Sequence, residues 1–180
     1  MHTYTLLMAA PALALLVWAA VEDLKSRRIP NWLTFSLIIS GFVQSFGAGA
    51  VVSPASSLIG FAVGFTLPLA LFLVGAMGGG DVKLLAGVGA WFGAGATWNI
   101  FLLAAVIGAV MVVSQALAQR RTKVLLRNSA LVAVNLVHVQ EVGLEHAKAT
   151  GQSCRSIDRP LPYAVPVLLA MIALLAMSWR

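Results

Sequence analysis

The chain has 180 residues, of which 60% are hydrophobic and only 10% are charged, whereas soluble globular domains carry about 25% charged residues. A soluble domain is therefore excluded, and repeated apolar runs of about 20 residues predict a helical protein that crosses a membrane several times. The net charge of +6 does not indicate a nucleic-acid partner, because the basic residues cluster between the apolar runs as they do in cytoplasmic loops.

The first predicted span runs from about Tyr4 to Val21 and leads into the polar segment 22–28. This segment contains Asp23 and then Lys25, and two arginines end it. Positive clusters next to a span stay in the cytoplasm, so the N-terminus is predicted to lie outside. No basic residue precedes the apolar stretch, which is not the pattern of a usual signal peptide.

The second predicted span runs from about Trp32 to Phe46, after Pro30, which stops or starts a helix, and Asn31, which is predicted to be its N-cap. The third opens at Ser53-Pro54, with a capping hydroxyl followed by proline at the first helical position. It returns the chain to the cytoplasmic side at three consecutive glycines, 78–80. Such a run holds a helix poorly, and a bilayer tolerates the break only at the interface, against protein or beside water.

Asp81 carries the first charge after this glycine break. An acid at membrane depth is a functional hypothesis in itself, and the alternative is a helix N-cap that accepts from the N–H of Lys83 or Leu84. Two crossings separate Asp23 from Asp81, so both acids are predicted at the same membrane face. Short loops make consecutive helices antiparallel neighbours, which also keeps the acids laterally close.

The fourth apolar run, from Val82 to about Ala96, rises only about 22 Å as a helix, against a hydrocarbon thickness of about 30 Å. A re-entrant segment is the alternative to a span. The following run ends at the basic cluster 120–123, which reaches the cytoplasm only if the fourth run crosses. The spacing of Gly89 and Gly93 indicates close packing against another helix.

From residue 119 to about 160 the chain becomes polar, which predicts a larger cytoplasmic loop. Its apolar piece 130–139 is too short to span and is interpreted as an interfacial or packed helix. No metal site or disulfide is expected, because His138 and His146 lack a convincing ligand set and Cys154 is the single cysteine. Glu141, Glu145 and Lys148 fit a solvated helical face.

The last predicted span runs from about Leu161 to Trp179 and opens with Pro162 and Tyr163, which suit a helix entrance and an interface. The prediction is therefore an all-α integral membrane protein in a single domain, with six transmembrane helices and both termini extracytoplasmic. In this topology every Lys and Arg except Arg180 lies on the cytoplasmic side.

Two facing carboxylates cannot both ionise cheaply, so one holds a proton and the pair titrates as a unit. An aspartic protease needs this arrangement: one acid takes a proton from water and the other donates to the scissile carbonyl. Lys25 and Lys83 each follow an aspartate by two residues and either bias the pair or contact lipid phosphate, the latter being favoured for Lys25. Two other classes stay open, namely a small ion or proton transporter and a non-catalytic component of a pilus or secretion assembly.

Three segments together resemble type IV prepilin peptidases, which are membrane aspartic proteases of the GxGD class, and most of all the short form associated with Flp/Tad pili. The segments are Asp23 with Lys25 and Ile29-Pro30-Asn31, then Gly78-Gly79-Gly80-Asp81-Val82-Lys83-Leu84, then Pro162-Tyr163. The resemblance implies that Asp23 and Asp81 are the catalytic pair and that no cofactor is used. It implies removal of the basic leader from prepilin or pseudopilin substrates at the cytoplasmic surface of the bacterial inner membrane.

The resemblance further implies that Gly78 and Gly80 let the substrate backbone approach Asp81 closely. The remaining matched residues are expected to support the site: Lys25, Lys83, Pro30, Asn31, Pro162 and Tyr163. Longer bifunctional members carry a cytoplasmic region with paired Cys-x-x-Cys zinc motifs and also N-methylate the new terminus. This chain has neither that region nor the paired cysteines, so peptidase activity alone is expected.

Overall fold

A computed structural model describes residues 2–73, 75–119 and 162–177, with side chains from Met8 onward. Within these ranges the chain forms helices and no strand, which confirms the predicted all-α class for this part of the protein. The helices are α1 (His2–Ser26), α2 (Asn31–Ser45), α3 (Pro54–Leu73), α4 (Gly79–Ala118) and α5 (Ala164–Met177). The predictions for the loop beyond residue 119, including the helix at 130–139, and for the final residues 178–180 lie outside the described ranges.

Two of these helices, α3 and α4, are long and apolar enough to cross a membrane, and α5 is a shorter apolar helix. Large apolar side chains point outward from the bundle: Val43 of α2 is 67% exposed and Val110 of α4 is 63% exposed. Such a surface suits a lipid environment, where apolar side chains need not be buried against protein. The six predicted spans and the positions of the termini remain predictions.

The helix starts follow from local sequence. Ser53 Oγ accepts a hydrogen bond from the Ser56 N–H at 3.3 Å, so Ser53 caps α3 and Pro54 is its first residue, as predicted. Pro30, not Asn31, stands at the N-cap of α2, where no side chain caps the helix. The prediction of Asn31 as a cap is wrong, since it is already the first helical residue.

Consecutive helices alternate in direction. Trp18 of α1 contacts Trp32 of α2 edge-to-face, with ring centroids 5.1 Å apart. Phe42 of α2 lies 5.4 Å from Phe61 of α3, centroid to centroid. These pairs join the end of one helix to the start of the next, so the connection between α2 and α3 lies at the opposite end of the bundle from the connection between α1 and α2.

The interface between α3 and α4 is unusually close because glycines line it. A Cβ on Gly60 would overlap the carbonyl oxygen of Gly89, and a Cβ on Gly64 would overlap the carbonyl oxygen of Leu85. Ser57 Oγ also donates to the Ala90 carbonyl at 2.6 Å. Small residues let helix backbones approach in membranes, so the predicted packing role of the Gly89–Gly93 spacing is confirmed.

Helix α4 is interrupted at Gly93, whose φ of 77° and ψ of 174° belong to a region that only glycine adopts readily. A straight helix would place residue 108 about 40 Å beyond residue 81. A Cβ on Gly108 would instead lie 3.9 Å from Pro166 Cγ, near the start of α5 and, as shown below, near Asp81. The second half, residues 94–118, therefore turns back beside the first half, residues 79–92.

This reversal agrees with the prediction that the fourth and fifth apolar runs point in opposite directions. The predicted boundary after Ala96 is wrong, because the turn occurs at Gly93. Thr97 Oγ1 then donates to the Gly93 carbonyl at 2.7 Å and supports the new helical direction. Buried side chains from α1, α2, α4 and α5 form one core; they include Leu16, Leu37, Leu85, Val88, Ile100 and Val167.

Candidate active site

Every Asp, Glu, Lys and Arg in the described part of the chain lies at one end of the bundle. They are Glu22, Asp23, Lys25, Arg27, Arg28, Asp81 and Lys83. The opposite end, formed by residues 46–53 and the turn at 93–99, has none of them. The charged end also contains the glycine break at 78–80 and the entrance of α5 at 162–164.

Asp23 lies on the last turns of α1 and is 5% exposed. Its Oδ2 accepts a hydrogen bond from the Ala164 N–H at 3.0 Å. Ala164 is the first residue of α5, so its N–H has no partner within that helix and is free to bind a carboxylate. The start of α5, which is far from α1 in the sequence, thus holds the Asp23 carboxylate in place.

The chain turns sharply after Asp23. Arg27 adopts a left-handed conformation with φ 57°, and its N–H donates to the Asp23 carbonyl at 3.0 Å. This ends α1 and directs the following segment toward α4. A Cβ on Gly80 would lie 3.4 Å from Ile29 Cβ, so the connection between α1 and α2 packs on the start of α4. Gly80 serves this packing, and its predicted role in substrate approach remains a prediction.

Asp81 lies in the first turn of α4, and its Oδ2 accepts a hydrogen bond from the Gly78 N–H at 3.2 Å. Gly78 is the N-cap residue, and Asp81 reaches back to it from the third helical position, as an acid does in a capping box. The alternative of Asp81 as an N-cap that accepts from Lys83 or Leu84 is wrong, because the helix begins at Gly79, before Asp81.

Both acids lie at this end of the bundle, Asp23 on the last turns of α1 and Asp81 in the first turn of α4. Burial first, and then the charge of Asp81, raises the pKa of the Tyr163 hydroxyl above its ordinary value. The phenol therefore stays protonated. The site thus brings together two carboxylates from α1 and α4 and a phenol and a backbone N–H from the entrance of α5.

Lys83 of α4 contacts two side chains of α2. Its Nζ donates to Asn31 Oδ1 at 2.9 Å and lies 5.6 Å from the ring centroid of Phe35. These contacts join the starts of α4 and α2, so the structure gives no support to the hypothesis that Lys83 biases the acids. Lys25 is exposed on the last turn of α1.

Pro30 and Pro162 lie at the starts of α2 and α5, where their carbonyl groups accept backbone hydrogen bonds. The Pro30 carbonyl accepts from the Thr34 N–H at 3.3 Å and starts α2. Pro162 is buried, and its carbonyl accepts from the Val165 N–H at 3.4 Å. Among the described residues, no three His, Cys, Asp or Glu side chains are grouped as metal ligands.

One feature of the site was missed in the sequence. The Ala164 N–H has no side-chain signal, and only the prediction of a helix start after Pro162 points to unpaired N–H groups there. Tyr163 was expected both at the membrane interface and as a supporting residue of the site, and its hydroxyl is buried at the end of the bundle that contains the acids. Its role in the site remains a prediction.

A sequence profile of the Type IV leader peptidase family matches residues 11–113. A preflagellin peptidase from Methanocaldococcus jannaschii is 40% identical over 83 residues, which are 44% of this chain and 35% of that protein. A prepilin leader peptidase/N-methyltransferase from Pectobacterium carotovorum subsp. carotovorum is 35% identical over 109 residues, 55% of this chain and 38% of that protein. A preflagellin peptidase from Methanococcus voltae is 35% identical over 89 residues, 46% of this chain and 38% of that protein.

The matches therefore span between 35% and 38% of these relatives' own lengths. No solved structure matches the chain. The profile covers more than half of the sequence, including both acids and the glycine break between them. On this evidence the chain belongs to the Type IV leader peptidase family.

Proposed function

We propose that the chain is a membrane aspartic endopeptidase that removes the basic leader peptide from type IV prepilin-like substrates, with Asp23 and Asp81 as its catalytic pair. The observation that carries the proposal is the placement of these two acids, from helices far apart in sequence, at the same end of an apolar bundle. The relatives named as prepilin and preflagellin peptidases support the substrate class.

The chemistry follows from the charge of the pair. The first ionisation opposes the second, so one carboxylate is ionised and the other holds a proton. The ionised carboxylate takes a proton from a water whose oxygen attacks the scissile carbonyl carbon, and the other acid gives its proton to the carbonyl oxygen. The resulting diol collapses: the C–N bond breaks, the leaving nitrogen takes the proton that the first carboxylate accepted from water, and the other carboxylate takes a proton from one diol hydroxyl, which restores the pair.

The charged end of the bundle is proposed to face the cytoplasm of a bacterium, at the inner membrane. Lys25, Arg27 and Arg28 lie at the same end as the acids, and basic clusters stay on the cytoplasmic side. A substrate whose apolar helix is in the bilayer would present the bond just before that helix at this depth. The same proposal includes six transmembrane spans, extracytoplasmic termini and a role in the assembly of Flp/Tad pili.

One observation favours the rival reading of a non-catalytic assembly component. Both acids accept a backbone N–H at the start of a helix, Asp81 from Gly78 and Asp23 from Ala164, and such contacts stabilise helices without any chemistry. Substitution by asparagine separates the two functions. Asparagine keeps an acceptor oxygen for the N–H, but it cannot take up or donate the proton that hydrolysis needs.

The experiment is co-expression of the chain with a prepilin substrate, with leader removal read as a mobility shift and by mass spectrometry of the new N-terminus. Asp23→Asn and Asp81→Asn should each abolish cleavage while membrane insertion persists. Glu22→Gln is the matched control, because it neutralises the neighbouring acid on α1, and it should cleave. Full cleavage by either asparagine variant would end the proposal, and ion flux lost in both variants would support a transporter. The new terminus is expected to be unmethylated.

A further inference from the structure

The hydroxyl of Tyr163 is the least explained polar group of the site. Its oxygen is buried from solvent and has no hydrogen-bond partner within the described ranges, although its ring packs against the main core. A buried tyrosine hydroxyl normally finds a partner, and leaving it without one is costly. An unpaired buried donor at the end of the bundle that contains both acids can bind a ligand that supplies an acceptor.

The position of Tyr163 narrows the kind of ligand. The next residue, Ala164, donates its N–H to Asp23 Oδ2 at 3.0 Å, and the charge of Asp81 acts on the Tyr163 hydroxyl. The phenol therefore belongs to the residue next to the one that binds Asp23, at the end of the bundle that contains both acids. Since it stays protonated, it is a hydrogen-bond donor available to a peptide carbonyl oxygen bound at this end.

We propose that the Tyr163 hydroxyl is a catalytic group that donates a hydrogen bond to the oxygen of the scissile carbonyl and stabilises this oxygen as the carbon becomes tetrahedral. This proposal rests on the proposed protease function. The hydroxyl transfers no proton: the proton for the carbonyl oxygen comes from the protonated acid of the pair, and the hydroxyl binds a remaining lone pair. The interaction strengthens as the oxygen gains negative charge, so it acts on kcat.

The first test compares Tyr163→Phe with the wild-type chain on a prepilin peptide in detergent or liposomes. Loss of one such donor lowers kcat by about 10²-fold to 10³-fold, and KM should stay the same. Tyr4→Phe is the matched control, because Tyr4 is the other tyrosine of the chain and lies about 28 Å from Asp23 along α1. It should cleave like the wild type.

Folding is not expected to complicate the result, because Tyr163→Phe keeps the ring that packs on the core and removes only an unpaired hydroxyl. Its thermal unfolding temperature should equal or exceed that of the wild type. An unchanged kcat in a folded Tyr163→Phe variant would overturn the proposal, and so would a rise in KM alone, which would mean binding of the ground state. Cleavage by Asp23→Asn or Asp81→Asn would instead refute the protease function itself.

The second test asks whether the hydroxyl contacts the carbonyl oxygen. Two substrate-derived peptide inhibitors are compared, one with a hydroxyethylene group at the scissile position and one with a reduced amide that has no oxygen there. Tyr163→Phe should weaken the hydroxyethylene inhibitor about tenfold or more, as expected for loss of one buried hydrogen bond. The affinity for the reduced amide should not change. An equal effect on both inhibitors would show that the tyrosine acts only on the shape of the site, and the proposal would fail.

Discussion

Replacement of Gly60 by alanine tests the close contact between α3 and α4, which carries Asp81. A Cβ at this position would overlap the Gly89 carbonyl oxygen and lie 2.6 Å from the Gly93 Cα. Carbon atoms in contact sit about 3.5–4.0 Å apart, so α3 must move away by about 1 Å. The colliding atoms belong to backbone, and therefore no change of side-chain rotamer relieves the overlap.

The size of the effect follows from two opposing contributions. Alanine gains about 1 kcal/mol over glycine in helix propensity, whereas an overlap of this kind costs about 1–3 kcal/mol. Because the new methyl group meets backbone on two sides, the upper end of this range applies, and the free energy of unfolding should fall by about 2 kcal/mol. Membrane helices associate mainly through such packing, so no other contribution compensates.

Gly95→Ala is the matched control, because a Cβ at Gly95 meets no atom within 4 Å. It should raise the free energy of unfolding by about 1 kcal/mol, which places the two variants about 3 kcal/mol apart. The assay is unfolding in mixed detergent micelles with increasing SDS, followed by far-UV circular dichroism. A Gly60→Ala variant as stable as Gly95→Ala would refute the reasoning, since the two helices would then not be in backbone contact.

Three further predictions address other parts of the chain. Ala164→Pro removes the N–H that binds Asp23, at a position where proline suits a helix start. Cleavage should fall by about 10²-fold, while helicity measured by circular dichroism should not change. Ala164→Gly keeps the N–H and should cleave like the wild type. Gly93→Ala should lower the free energy of unfolding in SDS by about 1–3 kcal/mol, because φ 77° and ψ 174° strain any residue with a Cβ. A variant as stable as the wild type would contradict the reversal of the chain at this residue. A double-mutant cycle of Lys83→Met and Asn31→Ala in the same unfolding assay should give a coupling free energy of about 0.2–1 kcal/mol, because the hydrogen bond between the two side chains is exposed. A coupling free energy well above this range would mean that the contact is buried.

The placement of both acids at the same end of the bundle could be predicted from the sequence, because it depends only on the number of crossings and on the positions of the charges. Counting apolar runs from Asp23 to Asp81 gives an even number of crossings, and an error of several residues in a helix boundary does not alter it. The same tolerance explains why the start of α3 was placed correctly, since Ser53 and Pro54 are local signals with a direct physical cause.

The turn at Gly93 could not be placed by the same reasoning. The run from residue 86 to residue 97 is rich in glycine and alanine, and hydropathy does not distinguish a glycine that packs in a helix from one that breaks it. Gly89 packs against α3, a Cβ on Gly95 would meet no atom of another element within 4 Å, and among these three glycines only Gly93 takes a positive φ. The choice among them depends on where the backbone of α3 lies, which is a tertiary property.

The entrance of α5 shows where prediction from side chains ends. An aspartate can be recognised in a sequence, but the group that holds Asp23 is the backbone N–H of an alanine, and every residue except proline has such a group. Its availability depends on Ala164 being the first residue of a helix, because the N–H groups of the first turn have no partner inside it. If the pair needs a carboxylate fixed in this way, activity must depend on the start of α5 as well as on the acids. Substitutions that disrupt only the start of α5 should therefore lower the rate of cleavage even when Asp23 and Asp81 are unchanged.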